Sequence, residues 1–143
     1  MNKWLMLTYK LPTEPSARRV YIWRKLKRLG ALTIFDAVWV LPDTPLTHEQ
    51  FQWLAAEIQE LGGEAIFWKA QPEMVGQEES LIAQFQNQVD EAYRGLLGRI
   101  VLKQVELTKA AQEYQQLKQR DYFVSEIGQQ IRDRLLAGRE RLS

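Results

Sequence analysis

Six basic side chains fall within eighteen residues near the start of the chain, in the stretch that reads EPSARRVYIWRKLKRLGA (residues 14–31). Clustered guanidinium and ammonium groups are suited to binding phosphate groups or a small oxyanion. These six candidates for binding an anion or a nucleic acid are Arg18, Arg19, Arg24, Lys25, Lys27 and Arg28. At 100° per residue, however, the apolar side chains of the stretch share one face of a helix, which also fits a core helix with a positive outer side. The residues expected in that core are Ile22, Trp23, Leu26 and Leu29.

Arg18 and Arg19 occupy the start of the predicted helix, a place that favours an anion. Backbone N–H groups in the first turn have no helical partner, and the helix dipole is positive there. With Ser16 nearby, the two guanidinium groups could hold a phosphate or a small tetrahedral oxyanion. The alternative is an internal contact, in which Arg19 pairs with a carboxylate of this chain such as Glu14. For the other four cations the alternative is a solvated helix face.

Few other residues in the chain could perform chemistry. The sequence contains no cysteine, which excludes a disulfide framework, a thiolate zinc site and a cysteine nucleophile. The single histidine, His48, lies inside a predicted helix start, while Asp36 and Asp43 lack metal-ligand spacing and fit turns. The sequence has no glycine-rich phosphate loop and no nucleophile motif. We therefore predict a protein that is not an enzyme, with no catalytic residue, no metal site and no cofactor.

Hydrophobic periodicity predicts the elements that must position these residues. Strand patterns occupy residues 4–10, 31–36, 37–41 and 64–70, with a turn between the middle two at Asp36 and Ala37. A helix is predicted over residues 15–29, and a second helix starts at a predicted capping box formed by Thr47 and Gln50. The order strand, helix, strand, strand, helix, strand predicts an α+β protein with the ferredoxin-like split βαβ (βαββαβ) antiparallel sheet, both helices lying on one face.

After Gly76 the sequence becomes helical in character. An apolar stripe over residues 77–117 predicts one long helix, or two helices with a bend at Gly95 and Gly98, and a last helix is predicted over residues 124–136 before a frayed tail. The predicted division is a ferredoxin-like domain, residues 1–75, followed by a C-terminal helical hairpin or long helix pair, residues 76–143. Apolar stripes of this kind need a surface to pack on, so we predict a homodimer or docking to a partner.

The net charge of +1 conceals a segregation of charge along the chain. Residues 1–28 carry a net charge of +7, residues 31–93 carry −10, and residues 94–143 carry +4. Such asymmetry permits a surface that faces a polyanion, unless folding brings the acidic segment against the basic one. The longest apolar run, residues 37–41, is far shorter than the ~20 residues of a membrane span. The N-terminus also lacks the features of a signal peptide, so we expect no membrane partner and a cytoplasmic location.

Three long phrases of the sequence are distinctive: WLMLTYKLPTEPSARRVYIWRKLKRLGAL, DAVWVLPDTPLTHEQFQWLAAEIQELGGEA and RDYFVSEIGQQIRDRLLAG. They resemble the N-terminal domain of the ChrB chromate-resistance proteins, over nearly the whole chain. The resemblance implies a cytoplasmic, non-enzymatic regulator of a chromate-inducible resistance operon, which acts on transcription and responds to chromate. Chromate is a tetrahedral dianion, and Arg18 and Arg19 are donors of the type that such an ion needs. DNA and chromate are thus the expected partners of the basic surface.

Two departures limit what the resemblance implies. ChrB proteins usually carry a second domain, whose contribution is expected to lie outside these 143 residues. The split βαβ arrangement also resembles, more distantly, the CRISPR-associated Cas2 nucleases and the C-terminal part of PaaX-type repressors. In the Cas2-like pattern a metal-binding Asp ends the first strand, where this sequence has Tyr9, Lys10 and Leu11. A Cas2-like metal-dependent nuclease, or a protein-interaction module that binds neither DNA nor chromate, remain the alternative functions.

Overall fold

The chain folds into two compact units, and the boundary between them lies near residue 78. The structure is a computed structural model and describes residues 3–36 and 38–142. In the first unit the elements are β1 (Trp4–Lys10), α1 (Ser16–Arg28), β2 (Leu32–Ile34), β3 (Val38–Pro42), α2 (Pro45–Glu60) and β4 (Glu64–Ala70). They are followed by the helices α3 (Gln77–Val101), α4 (Leu107–Lys118) and α5 (Glu126–Leu142).

The four strands form one antiparallel sheet in the order β2-β3-β1-β4. Each helix of the first unit therefore connects two strands that have a third strand between them, which is the split βαβ arrangement. The ferredoxin-like fold predicted from the sequence is confirmed, and so is the presence of further helices after it. Helix α3 begins in the first unit and continues into the second.

Both helices of the first unit pack on the same face of the sheet. Leu7 of β1 has two cross-strand partners, Trp39 and Phe67, so these three side chains point to one side. The ring of Phe67 meets Phe51 of α2 edge to face, with 6.2 Å between the ring centroids. The Nζ atom of Lys27 in α1 lies 5.9 Å from the Trp39 ring centroid. The core on this face is formed by Leu5, Leu7, Ile22, Leu26, Leu41, Phe51, Leu54 and Ile58, all buried.

The start of α2 differs from the prediction, which took Thr47 as the N-cap and paired it with Gln50. The helix begins at Pro45, and Thr44 is its N-cap. The Thr44 hydroxyl accepts a hydrogen bond from the Thr47 backbone N–H at 3.0 Å, and the Thr47 hydroxyl accepts one from the Thr44 backbone N–H at 2.9 Å. Because proline suits the first helical position and threonine at the third satisfies the reciprocal bond, the helix starts about one turn early.

The hairpin between β2 and β3 turns at Phe35 and Asp36. The prediction centred this turn on Asp36 and Ala37, and Ala37 lies outside the described residues. Phe35 and Asp36 have φ angles of 53° and 56°, in the left-handed region where non-glycine residues are uncommon. The Phe35 side chain is 95% exposed at the tip of the hairpin.

The helices after β4 also differ in their bounds from the prediction. The prediction was one long helix over residues 77–117, or two helices with a bend at Gly95 and Gly98. The structure has two helices, but α3 continues through both glycines to Val101, and α4 begins at Leu107. Lys103, with φ of 55°, ends α3: the Lys103 N–H bonds to the Ile100 carbonyl and the Gln104 N–H to the Arg99 carbonyl. This pairing is a Schellman motif, a common way for a helix to end.

The final helix is longer than predicted. It runs to Leu142, whereas the tail after residue 136 was predicted to be frayed. Ser125 caps its start by accepting the Gly128 N–H at 3.2 Å. In the part of the chain that the structure describes, no helix combines the length and apolar character needed to cross a bilayer.

The second unit has its own hydrophobic core. It is formed by Val89, Tyr93, Leu96, Ala110, Tyr114 and Ile131, contributed by α3, α4 and α5. Tyr93 is fully buried, and its hydroxyl donates a hydrogen bond to Asp121 Oδ2 at 3.1 Å. Burial, followed by the neighbouring Asp121 carboxylate, raises the pKa of Tyr93 well above its usual value.

Candidate anion-binding surface on the first helix

Helix α1 distributes its six cations over three directions. Ile22 and Leu26 are fully buried and define the inner side of the helix. Arg18 and Arg19 are neighbours in sequence but about 100° apart around the axis, so they leave the inner side in opposite directions. One flank faces α2, the other faces the Tyr9 end of β1, and the outer side carries most of the remaining cations. The helix itself contains no acidic residue.

On the flank that faces α2, two of the predicted site residues bind groups of this chain. Arg18 Nη1 donates to the Leu61 carbonyl at 3.0 Å, at the end of α2 where helix carbonyls lack partners. Lys25 Nζ contacts both carboxylate oxygens of Glu57, at 2.8 and 3.0 Å. The Tyr21 hydroxyl also donates to Glu57.

The Glu57 cluster shifts the ionisation of its members. Burial by itself would raise the pKa of Glu57, but the hydrogen bonds from Lys25 and Tyr21 outweigh it and the pKa is lowered. The pKa of Lys25 is raised, first by its hydrogen bond to Glu57 and then by Tyr21. Lys25 is therefore engaged inside the molecule and is a weak candidate for an external anion.

On the opposite flank, Arg19 lies in a cleft beside Tyr9. Two adjoining cavities share these two residues and have volumes of about 300 and 270 Å³. The larger cavity is lined by Tyr9, Ser16, Arg19, Val20 and Trp23, without a carboxylate. Burial raises the pKa of the Tyr9 hydroxyl, against smaller lowering effects from a hydrogen bond with Trp39 and from the Arg19 charge. The lining of one cavity thus includes three residues with hydrogen-bonding side chains, Tyr9, Ser16 and Arg19.

Trp23 was predicted to belong to the core, and this prediction was wrong. Its side chain is 49% exposed and lines the Tyr9 cleft. Trp23 stands about 60° beyond Leu26 around the helix axis, which moves it from the inner side to the flank. The Nζ atom of Lys27 lies 5.5 Å from the Trp23 ring centroid, a cation–π distance. The Trp23 ring, which was predicted to pack in the core, therefore forms an exposed aromatic surface beside the cations.

The outer side of α1 carries Arg24 and Arg28, and Lys27 lies between this side and the Trp23 flank; all three side chains are exposed. Within residues 3–36 and 38–142, no carboxylate forms an ion pair with these three or with Arg19. The predicted alternative partner of Arg19, Glu14, makes no such pair either. Four of the six predicted site residues thus keep their charge available to solvent.

Sequence reasoning did not select Tyr9 as a site residue. Aromatic residues on strands most often fill cores, and Tyr9, Trp39 and Trp68 all lie on strands. Trp39 is buried, Tyr9 is half-buried at the cleft, and Trp68 is exposed. Tyr9 lies near the end of β1, a few residues before α1 begins at Ser16. This closeness to the start of the basic helix is the sequence signal that could have identified Tyr9 as a site residue.

The other titratable residues considered in the sequence, Asp36, Asp43 and His48, have surroundings that do not form a second site. Asp43 pairs with Lys69 at 3.3 Å, and the His48 ring meets Phe67 edge to face at 4.9 Å between centroids. Asp36 lines the smaller of the two cavities beside Arg19. Across the described residues, no group of three His, Cys, Asp or Glu side chains is placed to share a metal ion.

Comparison with known proteins assigns the sequence to a family. The family described as Protein ChrB, N-terminal matches residues 19–114 of the 143. Protein ChrB of Cupriavidus metallidurans is 39% identical over 54 residues, which cover 38% of this chain and 17% of that protein. This chain therefore matches less than a fifth of that relative's length. No solved structure gives a significant match. The chain belongs to the ChrB family, and the matched region is the N-terminal domain of that family.

Proposed function

We propose that this domain acts in chromate-responsive control of transcription, in the cytoplasm and without catalysis, by contacting DNA phosphates through the exposed cations of α1. The observation that carries the proposal is the set of four exposed cations without an internal ion pair, on a helix that has no acidic residue. These four are Arg19, Arg24, Lys27 and Arg28. Family membership supplies the connection to chromate resistance.

Two of the six candidate cations are left out of the proposed contact surface. Arg18 and Lys25 bind Leu61 and Glu57, so moving them to phosphate groups would leave a helix carbonyl and a carboxylate without their partners. The exposed Trp23 ring beside Lys27 adds a flat apolar surface next to the cations. Phosphate contacts of this kind position a protein on a duplex without reading its sequence.

The DNA proposal predicts a steep salt dependence. Binding of a mixed-sequence duplex, followed by fluorescence anisotropy, should weaken with a log–log slope of about −3 to −4 if four phosphates are neutralised. The variant with Arg24→Ala and Lys27→Ala should reduce the magnitude of the slope by about 2. The matched control, Arg94→Ala with Arg134→Ala, removes two exposed arginines outside α1 and should leave the slope unchanged. Equal slopes for all three proteins would refute the surface.

For the chromate response we propose the Tyr9 cleft as the anion site, with Arg19 as its cation. A tetrahedral dianion there would accept hydrogen bonds from the Arg19 guanidinium, the Tyr9 hydroxyl and the Ser16 hydroxyl, in a cavity without a carboxylate. Asp36 in the adjoining cavity sets the limit of the site on the hairpin side.

Calorimetric titration of chromate, with sulfate as a second tetrahedral dianion, tests this site. We expect Arg19→Ala to weaken binding roughly ten- to a hundred-fold, the value of a charged hydrogen bond. Arg24→Ala, on the outer side of the same helix, should leave the affinity within about two-fold. If Arg19→Ala and Arg24→Ala behave alike, the cleft does not hold the anion.

A further inference from the structure

The second unit contains an open apolar groove between α4 and α5. Its volume is about 440 Å³, and it is lined by Leu107, Thr108, Ala111, Tyr114, Gln115, Arg132, Leu135, Leu136 and Arg139. On each helix these residues recur at intervals of three, four and seven, so the groove runs along both helices. Leu136 is 51% exposed in it. A groove of this shape fits the side chains of another helix.

The groove is positively charged, so a helix with acidic side chains is complementary to it. Its lining includes two arginines, Arg132 and Arg139, and no carboxylate. They are seven residues apart on α5, about 10.5 Å along the axis, with Leu135 and Leu136 between them. The contact of Arg132 with its neighbour Asp133 is 3.5 Å long and exposed, so it holds the guanidinium weakly. The complementary helix has an apolar centre between two acidic side chains.

The outer face of α2 has this pattern. Trp53 is 69% exposed and Leu46 is 58% exposed, on the side opposite the buried Phe51 and Ile58. Glu49 and Glu60 lie on the same stripe, one before and one after Trp53, about 16.5 Å apart along the axis. The helix contains no lysine or arginine. We call this stripe of Leu46, Glu49, Trp53 and Glu60 the α2 ridge.

We propose that the chain associates with itself, the α2 ridge of one copy entering the α4–α5 groove of a second copy. Trp53 packs between Leu135 and Leu136. The long side chains of Arg132 and Arg139, which are about 6 Å closer together along their axis than the two glutamates of the ridge are, extend outward to reach those glutamates. A large exposed tryptophan flanked by charges is typical of an interface anchor, and the partner surface supplies the opposite charges. This proposal is independent of DNA and chromate binding, since none of the α1 cations takes part.

Sedimentation velocity of the full chain over a concentration series tests the association. The wild-type protein should form a dimer or a larger oligomer. Trp53→Ala on the ridge and Leu136→Glu in the groove should each weaken association by roughly 30-fold or more, the effect expected of an interface hot spot. The controls Trp68→Ala and Leu102→Glu change similarly exposed side chains elsewhere and should associate like wild type.

A mixture of the two variants is the decisive measurement. Trp53→Ala retains an intact groove and Leu136→Glu retains an intact ridge, so the mixture should form a one-to-one complex that neither variant forms alone. Circular dichroism of each variant confirms folding, and Glu60→Arg replaces Trp53→Ala if the latter unfolds. A monomeric wild type, variants that associate normally, or a mixture that stays monomeric would each overturn the proposal. The first outcome would leave the groove to a different acidic helix.

Discussion

At the residue scale, two arginines that are adjacent in the sequence of α1 have different surroundings in the fold. Arg18 and Arg19 follow each other in sequence, yet one bonds to the Leu61 carbonyl and the other lies beside Tyr9. The sequence could predict the amphipathic helix, because Ile22 and Leu26 repeat with helical spacing. It could not predict which cations find internal partners, because Glu57 and Leu61 belong to another element and meet α1 only in the fold.

Glu57 gives a residue-scale prediction for pH. Its pKa is lowered in the folded protein, so its contribution to stability is present above the unfolded pKa of about 4.3 and is lost as the pH falls through the folded value. Glu57→Gln should therefore lower the free energy of unfolding by about 0.5 to 1 kcal/mol at pH 7, and the difference from wild type should shrink below about pH 4. Urea denaturation at both pH values measures it.

The control for this measurement is Glu91→Gln, a change of the same type at an exposed carboxylate of α3. It should cost little at either pH, since no ion pair holds Glu91 among the described residues. An equal loss for Glu57→Gln at pH 7 and at pH 3 would show that the carboxylate charge contributes nothing.

At the element scale, the strands were more predictable than the ends of the helices. The predicted bounds of β1 and β4, residues 4–10 and 64–70, match the structure, because aromatic and β-branched runs between proline and glycine signals mark a strand well. Helix ends depend on backbone angles and on which donor reaches which acceptor. Lys103 adopts a left-handed conformation that the sequence does not announce, and Thr44 competes successfully with Thr47 for the N-cap.

At the scale of the whole molecule, the two units have separate cores, and we expect these cores to respond separately to mutation. A Cβ atom at Gly128 would lie 2.8 Å from Cε2 and Cζ of Tyr93, which is fully buried and bonded to Asp121. The second unit therefore contains a close helix contact that admits only glycine. At Gly95, on α3, a Cβ atom would have no neighbour within 4 Å.

The two glycines predict opposite effects of one substitution. Gly128→Ala should destabilise the second unit by about 1 to 3 kcal/mol through overpacking, and Gly95→Ala should stabilise α3 by about 0.5 to 1 kcal/mol through reduced backbone entropy. Hydrogen exchange measures both: Gly128→Ala should reduce protection of α3 to α5, and the amides of β1 to β4 should keep theirs. Reduced protection across both units would instead mean that they unfold as one.

The C-terminal helices could be predicted from the sequence only in part. The change of character after Gly76 suggested a helical segment with a role in association, and that role stays a prediction. The groove between α4 and α5 could not be predicted, because it depends on where α3 ends. An uninterrupted helix over residues 77–117 would have left α4 no separate position from which to face α5.

The edges of the sheet affect how the protein behaves at high concentration. Strands at an edge present unpaired backbone groups that can join strands of other molecules and lead to fibres. Here one edge is β2, only three residues long, and the other is β4, which carries the exposed charges Glu64 and Lys69 and also the exposed side chains of Ile66 and Trp68. Short length opposes strand addition at β2, and the charges oppose it towards the ends of β4, so strand addition between crowded molecules should begin beside Ile66 and Trp68.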